Sequence, residues 1–165
     1  MEHLFVVRHG SYYDYGANCD RIDSFGREQM ERLGKVIRSI LRQGSAYIVS
    51  STAPRALDSS GVLAVELGLP SEFEQIPYLW SGLDSPEDSF YHDRNQDKLI
   101  AIVNERRDKA DGLVVVSHLE VTDNFPSFFF QREFGINDSV PGIEKGQAVH
   151  IDLQKKSHQV IPGSA

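Results

Sequence analysis

The sequence predicts an α/β domain in which helices cover both faces of a mainly parallel β-sheet. Short β-branched and aliphatic runs alternate with longer amphipathic stretches along the chain. Several of the intervening stretches are long enough to be the helical crossovers that parallel strands require. The 165 residues, 40% hydrophobic and 25% charged, have the size and composition of one globular domain. We therefore expect residues 1–165 to form a single three-layer α/β/α sandwich.

The first predicted strand, residues 4–7, leads through a polar loop into the first predicted helix. The loop is rich in tyrosine and extends to about Ser24. Apolar side chains then recur at helical spacing over residues 27–43. Gly44 follows as the expected C-cap of this helix.

A second strand is predicted at residues 46–49, and a second helix begins at Pro54. Proline is favourable in the first turn of a helix because its missing N–H needs no partner there. This helix is expected to end near Gly68. It is predicted to face the core with Leu57, Gly61, Ala64 and Val65.

The second half of the chain begins with an acidic, irregular segment over residues 71–92. A helix is predicted from about 96 to 109, and a third buried strand follows at 113–116. A late strand at 148–153 is expected to pair with residues 159–161.

Composition and charge exclude several classes of protein. Seventeen basic against 24 acidic residues give a net charge of −7, which argues against nucleic-acid binding. Cys19 is the single cysteine, so it cannot form an internal disulfide. No apolar run is long enough to cross a bilayer, and the N-terminus lacks the pattern of a signal peptide. We expect a cytoplasmic protein with neither nucleic-acid nor membrane partners.

Chemically capable residues follow three of the predicted strands. Arg8-His9-Gly10 follows the first, a segment ending at Arg55 follows the second, and His118 follows the third. The carboxyl ends of parallel strands share one edge of a sheet, so these side chains are expected to converge. The guanidinium of arginine presents a rigid fork of N–H donors that fits the oxygens of a phosphate. The neutral imidazole of histidine is a nucleophile near pH 7. The pattern predicts a pocket for a phosphoryl group beside a histidine.

Four segments resemble the motifs of the histidine phosphatase superfamily, which includes the phosphoglycerate mutases. They are the Arg-His-Gly signature at 5–10, the helix entry at 22–29, the second arginine motif at 49–55 and the second histidine motif at 115–118. They occur in the order found in the family. The resemblance implies a phosphoglycerate mutase-like fold.

The resemblance also implies a role for each matching residue. His9 is expected to be the nucleophile that becomes phosphohistidine, while Arg8 and Arg55 hold the phosphate oxygens. His118 is expected to donate to these oxygens as charge develops in the transition state. No metal or other cofactor is required, because these side chains supply the positive charge. Two hydroxyls are expected as further donors to the phosphate, those of Ser11 and Thr52.

The sequence departs from the mutases at the position of their acid glutamate, where Ser81 stands. A general acid that protonates the leaving group contributes about 10²–10⁴ in rate. The short bacterial protein-histidine phosphatases of the superfamily lack this glutamate and have about the length of this chain. Glu120 resembles the acid of the phytase-like branch, but an ordinary helix-end glutamate fits it equally well. The other candidate acids are Asp84, Glu87 and Asp88.

The leading hypothesis is therefore a metal-independent phosphatase that acts through phosphohistidine on His9. Protein phosphohistidine is the first substrate class, and a small phosphorylated metabolite is the second. A phosphoglycerate mutase fits less well, because that subgroup is longer and uses the missing glutamate. The competing hypothesis is a non-catalytic module that binds phosphorylated ligands.

Overall fold

The computed structural model describes residues 1–80, residue 90 and residues 95–163. Six strands and four α-helices lie in this part of the chain. The strands are β1 (His3–Arg8), β2 (Ala46–Ser50), β3 (Glu74–Gln75), β4 (Gly112–Ser117), β5 (Ala148–Asp152) and β6 (Ser157–Ile161). The helices are α1 (Ser24–Leu41), α2 (Pro54–Leu67), α3 (Asn95–Glu105) and α4 (Leu119–Phe134).

The strands form one sheet in the order β3-β2-β4-β1-β5-β6. Strands β1 to β4 run parallel, while β5 is antiparallel to β1 and β6 is antiparallel to β5. The predicted mainly parallel sheet and the late strand pair are both confirmed. β1 and β4 lie at the centre, so their carboxyl ends are surrounded by neighbouring elements.

Helices cover both faces of the sheet, as the alternation of side chains along the strands requires. Leu4 and Val6 of β1 belong to a core that contains side chains of α3 and α4. Phe5 and Val7 point the other way, into a core built with α1 and α2. All four are fully buried, which explains why this strand is continuously apolar. The predicted three-layer α/β/α fold is confirmed.

Helix α1 begins and ends at other residues than the sequence predicted. Asp23 is its N-cap, and the carboxylate accepts a hydrogen bond of 2.7 Å from the backbone N–H of Gly26. The C-cap is Arg42, in the left-handed conformation, and the prediction of Gly44 was wrong. Gly44 lies against another segment instead, since a Cβ there would come within 2.8 Å of the Asp111 carboxylate.

Helix α2 begins at Pro54 and is capped by Gly68, as predicted, but its buried face is different. Of the four predicted inward residues only Ala64 is buried, and Val65 is 76% exposed. The buried face contains apolar side chains such as Leu63 together with small polar ones, and Ser59 accepts a hydrogen bond of 3.0 Å from the backbone N–H of Gly10. The buried face of this helix thus includes its contact with the loop after β1.

Three elements of the described chain were not predicted, namely β3, a 3₁₀-helix at Pro77–Leu79 and α4. The two-residue strand β3 lies within the segment expected to be irregular, and it is too short to show a hydrophobic period. Helix α4 follows β4 after a single residue. Helix α3 ends at Glu105, four residues before its predicted end. None of the helices in the described part of the chain has the length and apolarity needed to cross a membrane.

Candidate active site

The carboxyl ends of β1, β2 and β4 meet at one edge of the sheet. In the strand register Arg8 lies opposite Ser117, so the residues that follow, His9 and His118, emerge side by side. Their ring centroids are 4.9 Å apart. Arg55, in the first turn of α2, reaches the same place and donates to His9. The structure thus brings together the four central residues predicted from the sequence.

Both ring nitrogens of His9 form hydrogen bonds, one as a donor and the other as an acceptor. Its Nδ1 lies 2.9 Å from the carbonyl oxygen of Gly10, which can only accept, so Nδ1 carries the proton. Its Nε2 accepts from Nε of Arg55 at 3.1 Å. The ring is 4% exposed and contacts Tyr12 edge to face, with centroids 5.3 Å apart. The lone pair on Nε2 therefore faces the cationic side of the pocket.

His118 is oriented by Ser51, a buried residue immediately after β2. The Ser51 hydroxyl lies 2.8 Å from Nε2 of His118 and accepts from the backbone N–H of Ala53 at 3.2 Å. When the Ser51 hydroxyl donates to Nε2, the neutral imidazole carries its proton on Nδ1. That Nδ1 is buried and has no hydrogen-bond partner within the described residues.

The two arginines hold different positions. Arg8 donates from Nη1 to the carbonyl oxygen of Ile143 at 2.9 Å, while its Nε is buried and lacks a partner in the described chain. Arg55 forms an ion pair with Asp20, and its guanidinium lies 4.9 Å from the centre of the Tyr12 ring. Buried polar atoms are nearly always satisfied. The orphan nitrogens of Arg8 and His118 are donors suited to a bound anion.

Burial and the arginines keep both histidines neutral. Burial lowers the pKa of His9 to about 3, assisted by the charges of Arg55, Arg8 and Lys145 and opposed by the hydrogen bond to Gly10. Burial also lowers the pKa of His118 to about 2, with His9 and the same two arginines contributing. His9 is thus an unprotonated base at neutral pH, as a nucleophile must be.

The remaining predicted site residues lie at different places. The Ser11 hydroxyl donates to Asp23 at 2.7 Å and so supports the N-cap of α1. Thr52 is half-buried in the turn between β2 and α2, and Glu120 is half-buried in the first turn of α4. Three candidate acids fall outside the described residues, namely Asp84, Glu87 and Asp88.

Three residues in this pocket were not singled out from the sequence. Ser51 lies inside the second arginine motif, so the motif itself could have indicated it. Asp20 contacts Arg55, and Lys145 lies over the Tyr12 ring with Nζ 4.3 Å from its centre. The last two belong to loops without a periodic pattern, and only the fold shows that they reach the pocket.

Comparison of the fold with solved structures gives a consistent result. The protein histidine phosphatase SixA, solved with tungstate, matches with a TM-score of 0.64 and 18% identity over 96% of this chain and 94% of that one. A mycobacterial glucosyl-3-phosphoglycerate phosphatase, solved with VO3, matches with a TM-score of 0.64 and 15% identity over 98% of each chain. YhfR from Bacillus stearothermophilus matches with a TM-score of 0.65 and 16% identity over 97% of this chain and 95% of that one. No family model and no curated protein sequence matches the chain.

The chain therefore has the fold of these solved structures. The phosphoglycerate mutase-like fold implied by the motifs is confirmed at this level, and SixA structures are among those that match. With identities of 13–18% in such structures, the similarity defines the architecture and leaves the chemistry to the residues of this pocket.

Proposed function

We propose that this protein is a phosphatase that transfers a phosphoryl group to His9 and then to water. The observation that carries the proposal is the unprotonated Nε2 of buried His9 in a pocket containing Arg8, Arg55 and His118. Such a pocket offers a nucleophile and several N–H donors to the same phosphoryl group.

In the first step Nε2 of His9 attacks phosphorus opposite the leaving group. An N–P bond forms while the bond between phosphorus and the leaving atom breaks, and that atom takes the bonding electron pair. Arg55 gives up its contact with Nε2 and donates to the phosphoryl oxygens together with Arg8. These donors offset the charge on the oxygens in the transition state.

In the second step water attacks the phosphorus of phosphohistidine. The O–P bond forms, the N–P bond breaks, and its electron pair returns to Nε2 of His9. The water proton passes to the departing phosphate or to solvent. His118 donates from Nδ1 in both steps, which gives its orphan nitrogen a partner.

Protein phosphohistidine is the substrate class that we propose first. An imidazole leaving group departs readily once protonated, so it needs less help from a positioned acid than an alkoxide does. In the sequence, Ser81 stands at the position of the mutase glutamate and lies outside the described residues, and the lack of a carboxylate there agrees with this requirement. The match to the protein histidine phosphatase SixA is a further support.

The test is steady-state hydrolysis of an aryl phosphate in the presence of a chelator, by the wild type and His9→Ala. Phenolate leaves without an acid, so the reaction reports the nucleophile alone. We expect turnover by the wild type and a loss of at least about 10³ in kcat for the variant. Equal activity of the two proteins would overturn the mechanism. Binding of phosphate without turnover by the wild type would indicate the non-catalytic module.

Competition between substrates then tests the proposed class. A phosphohistidine-containing protein and a phosphorylated sugar acid are compared by kcat/KM. A higher value for the phosphohistidine protein is expected, and a higher value for the sugar acid would contradict the assignment.

A further inference from the structure

A third cation, Lys145, lies beside the pocket that contains Arg8 and Arg55. Its Nζ is 4.3 Å from the centre of the Tyr12 ring, and the guanidinium of Arg55 contacts the same ring. Tyr12 in turn touches His9. The Tyr12 ring therefore lies in contact with both the Lys145 ammonium and the nucleophile His9.

The backbone beside Lys145 is anchored to the nucleophile segment. The N–H of Gly146 donates to the carbonyl oxygens of Arg8 and His9 at 3.1 and 3.0 Å. The carbonyl of Lys145 accepts from the side-chain amide of Gln29 at 3.0 Å. A Cβ at position 146 would come within 2.5 Å of Gln29, so glycine is required for this close approach. The position of Lys145 is thus fixed relative to His9.

The charge on Lys145 is not neutralised within the described part of the chain. Arg55 is paired with Asp20, but no carboxylate there lies within ion-pair distance of Lys145. Its positive charge reaches the site, since it contributes to the lowered pKa of His9. The phosphoryl oxygens already have donors in Arg8, Arg55 and His118. Lys145 is a cation in excess of what the phosphoryl group itself needs.

We propose that Lys145 and Tyr12 form a subsite for a second anionic group, carried by the substrate next to its scissile phosphoryl group. This inference rests on the proposed function and deepens it, because it defines the substrate class by charge. In a phosphohistidine protein, this second group is the carboxylate of an acidic side chain close to the phosphorylated histidine. Lys145 acts as a substrate-binding residue that selects for that group.

The test uses two phenylphosphonates, which resemble substrates but cannot be hydrolysed. They differ only in carrying a carboxylate or a carboxamide on the ring, and their affinities are measured by calorimetry. We expect the wild type to bind the carboxylate about two- to fivefold more tightly, the upper part of the range for one ion pair near a surface. In Lys145→Gln the two affinities become equal, while Lys145→Arg keeps the preference.

Lys156 provides the matched control. It also lies over an aromatic ring, with Nζ 5.7 Å from the centre of Phe134, and is remote from the pocket. Lys156→Gln is expected to keep the wild-type preference. An unchanged preference in Lys145→Gln, an equal loss for both ligands, or no preference in the wild type would each overturn the subsite. Failure of both phosphonates to bind would overturn the phosphoryl site, and with it the proposed function.

Discussion

Two pairs of histidines lie at opposite ends of β1, and only one of them has the features of a reaction site. His3 and His150 lie at the amino end, with Nδ1 of one 3.1 Å from Nε2 of the other. The second ring nitrogen of His150 lies 3.1 Å from the side-chain amide of Gln159, and its ring stacks on Phe5. Both nitrogens of His150 therefore have partners.

His150 is buried like His9 and His118, so burial of a histidine ring does not by itself set the carboxyl-end pair apart. Burial lowers the pKa of His150 to about 4, and His9 and His118 are lowered by the same main cause. A lowered histidine pKa therefore does not distinguish the two sites. What does distinguish them is the presence of Arg8 and Arg55 and of unpartnered donors at the carboxyl end.

The largest difference is expected when each pair loses one imidazole. His118→Ala should lower kcat about 100- to 1,000-fold, the usual effect of removing one donor to a transition state. His150→Ala should leave kcat/KM within about twofold and lower Tm by about 2–8 °C through loss of packing. Aryl phosphate kinetics and thermal unfolding check both variants. Comparable loss of activity in His150→Ala would contradict the comparison.

Two ion-paired arginines provide the next test. Arg55 pairs with Asp20 in the pocket, while Arg106 pairs with Glu74 at the far edge of the sheet. Arg55→Met should lower kcat/KM about 10- to 100-fold, because charge-assisted hydrogen bonds to the phosphoryl group are lost. Arg106→Met should retain wild-type kinetics. Equal kinetics for the two variants would show that Arg55 has only a structural role.

Ser51 is a positioning residue, so its effect should depend on His118. Ser51→Ala is expected to lower kcat about tenfold, because Nε2 of His118 loses its partner. Adding Ser51→Ala to His118→Ala should cause no further loss, which a merely structural role would not reproduce. Ser60→Ala is the control, since the Ser60 hydroxyl is buried without a partner among the described residues. Additive losses in the double variant would contradict this role.

Asp20 is a carboxylate beside a phosphate site and should weaken anion binding. Asp20→Asn is expected to tighten inhibition by orthovanadate about threefold, because Arg55 loses its competing partner. Asparagine tolerates the positive φ of 69° at this position. Asp58→Asn, which breaks the nearby ion pair with Arg21, is the control. Weaker inhibition of Asp20→Asn would show that Asp20 holds Arg55 in place for the ligand.

A separate effect, on folding rather than on activity, is expected in the pH dependence of stability. The native pKa values of His9, His118 and His150 lie below the usual 6.5, so between pH 7 and pH 5 the unfolded chain binds protons that the native state excludes. The free energy of unfolding therefore decreases as the pH is lowered. The decrease approaches about 1.4 kcal/mol per pH unit for each proton that the native state excludes. His150→Gln should lower the slope of the free energy of unfolding against pH by the contribution of one proton, as measured by denaturant unfolding at several pH values. An unchanged slope would contradict the burial of a neutral His150.

Much of the site could be predicted from the sequence because its main groups lie at strand ends. Arg8, His9 and His118 follow apolar runs whose direction in a parallel sheet places them at one edge. The predicted inward face of α2 was wrong because small residues such as Ala56 and Ser59 share the buried face with Leu63, so the side chains alone do not indicate which face packs. Asp20 and Lys145 were missed because loop contacts depend on tertiary structure.

The central claim is that His9 carries the phosphoryl group during turnover. The most direct measurement mixes the protein rapidly with an aryl phosphate, stops the reaction in alkali, which preserves phosphohistidine, and locates the phosphoryl group by peptide mass spectrometry. The account predicts a phosphoryl group on His9 alone, and none on His3, His118 or His150. Phosphorylated His9 should form and be hydrolysed at rates no slower than kcat. Turnover without phosphorylated His9, or with the phosphoryl group on another residue, would contradict it.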